Sequence, residues 1–242
     1  MTALQALVAR VAQAVPGWSA RVGTTAAPPW HAEPALAELH RHWATKHPEA
    51  GPHYAALRGW GLLVWQPAYL VVLAAHLGDA QVDLDQLSLQ LREGDVSGHA
   101  LTEHALLRGD EAARLRSGAE QLAAGVARLL PAWQRHAPLH PKAARRTVAE
   151  CVLAALLAAR RQRLWSLAHT RALGEQWLAA LDLRGEGGYI GYRQATGEEV
   201  LALDRQVCCL HFRRRDGGRC STCPKRAPRE RVLRLQAEEA VA

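Results

Sequence analysis

The sequence lacks the motif by which many redox enzymes hold a dinucleotide. No GxGxxG-type phosphate loop followed by a βαβ pattern occurs in its 242 residues, which argues against an intrinsic NAD(P)H or flavin site. The first residues, MTALQALVARVAQAV, also lack the basic region, apolar region and cleavage site of a signal peptide. We therefore expect a protein of a reducing, cytoplasmic compartment, with an external source of electrons for any redox chemistry.

Cysteine is scarce outside one short segment. Four of the five cysteines fall within sixteen consecutive positions, in the pattern CC-x10-C-x2-C. These four are Cys208, Cys209, Cys220 and Cys223. The fifth, Cys151, lies in the apolar stretch CVLAALLAA and is expected in the core. Four thiolates brought together by a short loop can hold a zinc ion or an iron-sulfur cluster, or can form two disulfides.

The spacing favours an iron-sulfur cluster over the other two readings. A zinc ribbon usually takes its ligands from two C-x-x-C knuckles, and only Cys220 and Cys223 have that spacing. Neighbours such as Cys208 and Cys209 point to opposite sides of an extended chain, so their joint approach to one zinc requires a distorted turn. A two-iron cluster is larger and tolerates varied spacing. A bridge between neighbouring cysteines is strained, and a reducing compartment disfavours disulfides. Zinc stays open as an alternative.

The segments 208–213 (CCLHFR) and 220–224 (CSTCP) resemble the C-terminal signature of the FhuF-type ferric siderophore reductases. The resemblance implies a [2Fe-2S] cluster, with the four cysteines of the pattern as its cofactor and metal ligands. It also implies an iron-sulfur oxidoreductase of the cytoplasm that passes one electron to an imported Fe(III)-siderophore and releases Fe(II). No catalytic residue is implied beyond the cluster ligands.

Positive charge is concentrated around the cysteines. Residues 205–234 carry ten basic and two acidic side chains, a balance of +8, whereas the whole chain is +7. Cations near an anionic cluster stabilise its reduced form and steer anionic partners. The expected partners are a ferric siderophore and an external donor, either a ferredoxin or an NAD(P)H-dependent reductase. The basic segment also allows peripheral contact with the cytoplasmic face of the inner membrane. No nucleic-acid partner is expected. Within residues 205–234 the only aromatic side chain besides the imidazole of His211 is Phe212, so the segment lacks the repeated aromatic residues on which bases stack.

The periodicity of the sequence predicts an α+β fold with a mainly helical body. We expect helices at 4–15, 34–46, from Pro52 to Gly78, at 110–134, and at 142–183 with a break near Gly174. We expect hairpins at 87–101 and 188–203. The predicted division is a helical body at 1–183, which binds the siderophore, and a hairpin with the cluster-binding segment at 184–242. The apolar stretch 59–77 is long enough to cross a membrane, but Gln66, Pro67 and His76 favour a buried core helix.

The siderophore site is less defined in the sequence. The aromatic candidates for siderophore contact lie near Pro67, which should kink its helix, and in the hairpin that precedes the cysteines. They are Trp60, Trp65 and Tyr69 in the first group and Tyr189 and Tyr192 in the second. His211 is the candidate for proton supply or cluster tuning. Aromatic residues at helical spacing are more often core than ligand contacts. Two other functions stay open: an iron-sulfur redox sensor, and a basic zinc module that binds nucleic acid.

Overall fold

The computed structural model describes residues 1–24 and 29–239 of the chain. The helices are α1 (Ala3–Ala14), α2 (Glu33–Lys46), α3 (Pro52–Leu77), α4 (Glu111–Gln134), α5 (Pro141–Arg163), α6 (Leu167–Ala180) and α7 (Pro228–Glu239). The strands are β1 (Ala20–Val22), β2 (Leu87–Arg92), β3 (Asp95–Leu101), β4 (Gly188–Arg193) and β5 (Glu199–Asp204). Helices account for 57% of the structure, which confirms the α+β class with a mainly helical body. The division into domains at residue 183 stays a prediction.

Helix α3 is the centre of the body. It contacts α1, α2, α4 and α5, and it is apolar around most of its circumference, as a helix buried on all sides must be. Among the described residues it is the one helix long and apolar enough to cross a membrane, yet 78% of its most apolar window is buried inside the protein. Its polar residues have partners there: Gln66 bonds His99 at 3.0 Å, and the indole N–H of Trp177 donates to His76 at 2.9 Å. These contacts fit the predicted core helix.

Both predicted hairpins are present. Strands β2 and β3 turn at Glu93 and Gly94, both of which have positive φ. Strands β4 and β5 pair antiparallel from Gly188 opposite Asp204 to Arg193 opposite Glu199. The sequence did not indicate β1, which pairs parallel to β3 and gives a sheet of order β1-β3-β2. Its three residues are too few to show an alternating pattern.

The break in the segment 142–183 is not where the sequence placed it. Helix α5 ends at Arg163, and the next residue, Leu164, is left-handed at φ 54°. Helix α6 begins after Ser166, whose hydroxyl accepts a hydrogen bond from the His169 backbone N–H at 3.1 Å. Gly174 instead lies inside α6. A Cβ there would meet Leu153 at 2.9 Å and Tyr189 at 3.0 Å, so the glycine permits close packing and does not break the helix.

Gly59 of α3 lies directly against the buried indole ring of Trp133 in α4. A Cβ at position 59 would lie 2.6 Å from Cζ2 of Trp133, whose Nε1–H donates to the carbonyl of Ala56 at 3.2 Å. We expect Gly59→Ala to lower the free energy of unfolding by about 1–3 kcal/mol, because overpacking forces the ring or the helix to move. Urea denaturation followed by circular dichroism measures this change.

The control is Gly61→Ala in the same helix, where a Cβ has no neighbour within 4 Å. This change should leave the free energy of unfolding unchanged or raise it by up to about 1 kcal/mol, since alanine favours the helix. A stabilised Gly59→Ala protein would mean that Trp133 has room to move and that contact with α4 does not require glycine.

Candidate metal centre

The cysteine segment begins where β5 ends and lies against α5. From β5 the chain passes through residues 205–207 to Cys208 and Cys209, and Leu210 then takes a left-handed conformation at φ 57°. A short 3-10 turn follows at 211–213. The loop then closes tightly at Gly217, where a Cβ would collide with the carbonyl oxygen of His211. The C-x-x-C turn closes with the backbone N–H of Cys223 donating to the carbonyl of Cys220 at 3.1 Å.

The loop brings the four thiols together as two pairs. The sulfurs of Cys208 and Cys223 are 3.9 Å apart, and Cys209 and Cys220 both line one cavity and shift each other's pKa. All five cysteines of the chain are free, Cys223 is buried, and the other three of the segment are half-buried. Two thiolates on one tetrahedral ion with bonds of about 2.3 Å are roughly 3.8 Å apart. The spacing of the first pair therefore suits two ligands of one metal atom.

The donor set suits a two-iron cluster. A [2Fe-2S] cluster has two irons and takes two protein sulfurs on each. Four free thiols from one loop, two of them 3.9 Å apart, match that requirement in number and type, so the residues present fit the group.

Arg205 supplies positive charge beside the sulfurs. Its Nη1 lies 3.6 Å from Sγ of Cys220, and its Nε donates to Oε2 of Glu150 at 2.8 Å. Burial disfavours the charged guanidinium, but the Glu150 carboxylate outweighs this effect and raises the pKa of Arg205. The cation is therefore fixed in place next to the thiols.

The thiols do not ionise equally. The hydrogen bond from Cys220 lowers the pKa of Cys209 to about 5, against the effect of burial, and the His211 backbone N–H and Arg205 act in the same direction. Burial raises the pKa of Cys208. The interaction with Cys209 raises the pKa of Cys220. The thiolate is the form of cysteine that binds metal, and the His211 backbone N–H and Arg205 both favour it at Cys209.

Glu150 is a site residue that our sequence analysis missed. It lies on α5 with a side chain only 7% exposed, and besides Arg205 it accepts the backbone N–H groups of Gln206 at 2.9 Å and Val207 at 3.1 Å. One carboxylate thus fixes the three residues that precede the first cysteine of the segment. The available signal was an acidic residue at the start of an apolar helical stretch, since a charge on a buried face requires a partner.

A cavity of about 670 Å³ lies between α3, α5 and the cysteine segment. Its lining is largely apolar and aromatic, with Trp65 and Tyr69 from α3 in edge contact at 5.5 Å. Arg58 lies at its rim and stacks on Trp43, with 4.6 Å between the guanidinium carbon and the ring centre. Two cysteines of the CC-x10-C-x2-C pattern, Cys209 and Cys220, also line the cavity. The volume is in the range of cavities that hold small-molecule ligands.

The aromatic candidates from the sequence separate into three groups. Trp65 and Tyr69 line the cavity, as does His211, whose ring is 6.3 Å from that of Tyr54. Trp60 is fully buried and donates to the carbonyl of Ala144 at 3.1 Å, so its suggested role as a ligand contact is wrong.

The two tyrosines of β4 lie outside this cavity. Tyr189 donates its hydroxyl to the carbonyl of Leu153 at 2.9 Å, and Tyr192 lines a separate surface depression beside Arg171 and Arg193. Cys151 packs against the core as predicted, but it also reaches the cavity wall, where burial raises the pKa of its thiol to about 12.

The grouped thiols are typical of an iron-sulfur protein. Residues 205–225 match the family model described as the FhuF 2Fe-2S C-terminal domain, which confirms the resemblance seen in the cysteine pattern. The cofactor is a [2Fe-2S] cluster, the group that this family model names. The match covers the cysteine segment alone, and the helical body lies outside it. No solved structure matches the chain.

Proposed function

We propose that this protein is a ferric siderophore reductase whose cluster is held by the cysteines of the CC-x10-C-x2-C pattern. The proposed ligands are Cys208, Cys209, Cys220 and Cys223. The observation that carries the proposal is that Cys209 and Cys220 line the 670 Å³ cavity. A ligand in this cavity lies beside two of the thiols, which gives a short path for electron transfer to a bound chelate.

The cluster, when bound, supplies one electron at a time. The protein's own residues do the rest: Trp65 and Tyr69 offer apolar faces to a chelate, and Arg58 and Arg205 offer positive charge. Hydroxamate, catecholate and carboxylate oxygens are hard ligands that prefer Fe(III), so reduction to Fe(II) loosens the complex. His211 at the cavity wall is placed to give a proton to a ligand oxygen as the iron leaves.

The reducing electron comes from another protein in this proposal. The donor is a ferredoxin or an NAD(P)H-dependent reductase, steered by the basic residues at 205–234. The supporting observation is that several of these arginines are exposed at the cysteine segment, among them Arg213 and Arg215. We place the protein in the cytoplasm, with peripheral contact at the inner membrane through the same basic surface.

The test is a single-turnover reaction with anaerobic protein reduced beforehand by dithionite. Mixed with a ferric siderophore and an Fe(II) chelator, it should return to its oxidised visible spectrum and give one Fe(II) for each electron released. The Ga(III) form of the same siderophore is the control, because it fills the same site and accepts no electron. A reduced protein that is stable toward every ferric siderophore class but bleaches and recovers with redox state would be a sensor and not a reductase.

Removal of the Trp65 ring should weaken siderophore binding. Loss of one aromatic face costs about 1–1.5 kcal/mol, so we expect Trp65→Ala to raise KM roughly tenfold with a smaller effect on kcat. Steady-state reduction with a chemical donor measures both constants. The control is Trp165→Ala, which removes a half-buried indole that contacts His76 and His169 outside the cavity. If both variants behave alike, the cavity is not the siderophore site.

A further inference from the structure

The two thiol pairs are not equivalent in their surroundings. Cys209 and Cys220 line the cavity, and Arg205 lies 3.6 Å from Sγ of Cys220. Cys208 and Cys223 are not among the residues that line it, and Cys223 is only 1% exposed. One pair thus faces the cavity and a fixed cation, while the other lies away from the cavity and includes the buried Cys223.

Four cysteines can be divided between two irons in three ways. The chain order suggests the division 208 with 209 and 220 with 223, since each pair is close in sequence. The structure favours another division, because sulfurs from opposite ends of the loop lie together: Cys208 and Cys223 are 3.9 Å apart, and the remaining two, Cys209 and Cys220, share the wall of the cavity.

A positive charge beside one sulfur also distinguishes the two irons. The positive guanidinium of Arg205 stabilises negative charge on nearby atoms, and this stabilisation grows as the distance shortens. It is stronger where water is excluded, because the effective dielectric constant is lower there. An added electron is therefore most stable on the iron whose sulfurs lie nearest to Arg205. Glu150 keeps the guanidinium there through the 2.8 Å ion pair.

We propose that Cys209 and Cys220 bind one iron, that Cys208 and Cys223 bind the other, and that the electron taken up on reduction resides on the iron held by Cys209 and Cys220. One electron leaves the reductant and converts one Fe(III) to Fe(II), with no cysteine bond made or broken and no proton required. The inference rests on the ligand assignment proposed above, but not on a siderophore as the substrate. Its consequence is that the reducing electron lies on the side of the cavity.

Paramagnetic NMR of the dithionite-reduced protein tests the pairing. The β-protons of cysteines on the ferric iron shift toward the diamagnetic range on warming, and those on the ferrous iron move away from it. With cysteine-selective ¹³C labelling and contacts to Arg205 for assignment, we expect Cys209 and Cys220 in the ferrous set and Cys208 and Cys223 in the ferric set. Cys151 should show no such shift. Either other division of the four cysteines overturns the pairing, and a ferrous set formed by Cys208 and Cys223 overturns the position of the electron.

The reduction potential gives a second readout that does not depend on siderophore turnover. We expect Arg205→Gln to lower the equilibrium constant for reduction about tenfold, a change of about 59 mV, and Arg205→Lys to recover part of it. Arg213→Gln removes the same charge from an exposed position of the same segment and should have a smaller effect because water and salt screen it. Equal shifts in the Arg205→Gln and Arg213→Gln proteins would overturn the role of Arg205. A protein that shows the expected pairing and yet reduces no siderophore would leave this inference intact and contradict the proposed function alone.

Discussion

Replacement of Cys220 by serine should remove the visible absorption of the protein and its siderophore reductase activity together. Cys220 contacts Arg205 and lines the cavity beside Cys209, so its loss leaves three cysteine sulfurs for two irons. Iron and acid-labile sulfide should fall from about two each per chain to near zero. Metal analysis of anaerobically purified protein, with its spectrum before and after dithionite, makes the measurement.

The fifth cysteine provides the matched control. Cys151→Ser changes the same atom at a position on α5, and the protein should keep its iron and sulfide content. If Cys220→Ser protein also keeps about two irons and two sulfides, the cluster does not need the Cys220 sulfur and its assignment as a ligand is wrong. Colourless wild-type protein that carries one zinc, even after anaerobic reconstitution with iron and sulfide, would favour the zinc alternative.

Removal of the Glu150 carboxylate should cause the largest loss of stability of any single change near the site. Glu150→Ala leaves the buried guanidinium of Arg205 without its partner and removes the acceptor for the backbone N–H groups of Gln206 and Val207. A broken buried ion pair costs about 3–5 kcal/mol because the remaining charge is uncompensated. Urea unfolding followed by circular dichroism and by cluster absorbance measures this loss. We expect the cluster absorbance of the variant to disappear at a lower urea concentration than its helical circular dichroism signal.

Two further variants separate charge from shape. Glu150→Gln keeps an oxygen for the backbone N–H groups of 206 and 207 but removes the charge, so its stability should lie between wild type and Glu150→Ala. Glu33→Ala breaks the ion pair with Arg135, in which both side chains are more than half exposed, and should change stability little. A Glu150→Ala protein as stable as Glu33→Ala would mean that Arg205 reaches water and does not depend on the pair.

The fold was predictable from the sequence where a local signal determines the structure. Repeated apolar spacing identified the helices, and glycine turns identified both hairpins, at Gly94 and Gly197. The break between α5 and α6 was misplaced because a glycine such as Gly174 has the same local signature whether it ends a helix or permits contact with a neighbour. Only the positions of Leu153 and Tyr189, which are distant in sequence, decide between the two.

The grouping of four cysteines in one loop was predictable from the sequence, but the surroundings of that loop were not. The cysteine spacing indicated a cluster because four thiols in one loop need no information from the rest of the fold. Glu150 and the cavity depend on contacts between residues about 55 positions or more apart, such as Glu150 with Arg205. Trp60 and Trp65 lie in the same helix with similar neighbours in sequence, yet one is in the core and the other at the cavity. Rotation of the helix against α5 decides which is which.

The position of Glu150 on α5 also bears on how the protein is made. The ribosome adds residues 205–207 more than fifty positions after Glu150, so during synthesis this carboxylate exists for a time without the cation and N–H groups that later satisfy it. Chains fold progressively as they emerge, and the helices through α5 can pack before the cysteines leave the ribosome. When residues 205–207 arrive, their bonds to Glu150 set the starting point of the cysteine loop on a surface that is already folded. We therefore expect iron and sulfide to be inserted as a late step, into a loop whose first anchor is a carboxylate of the completed body.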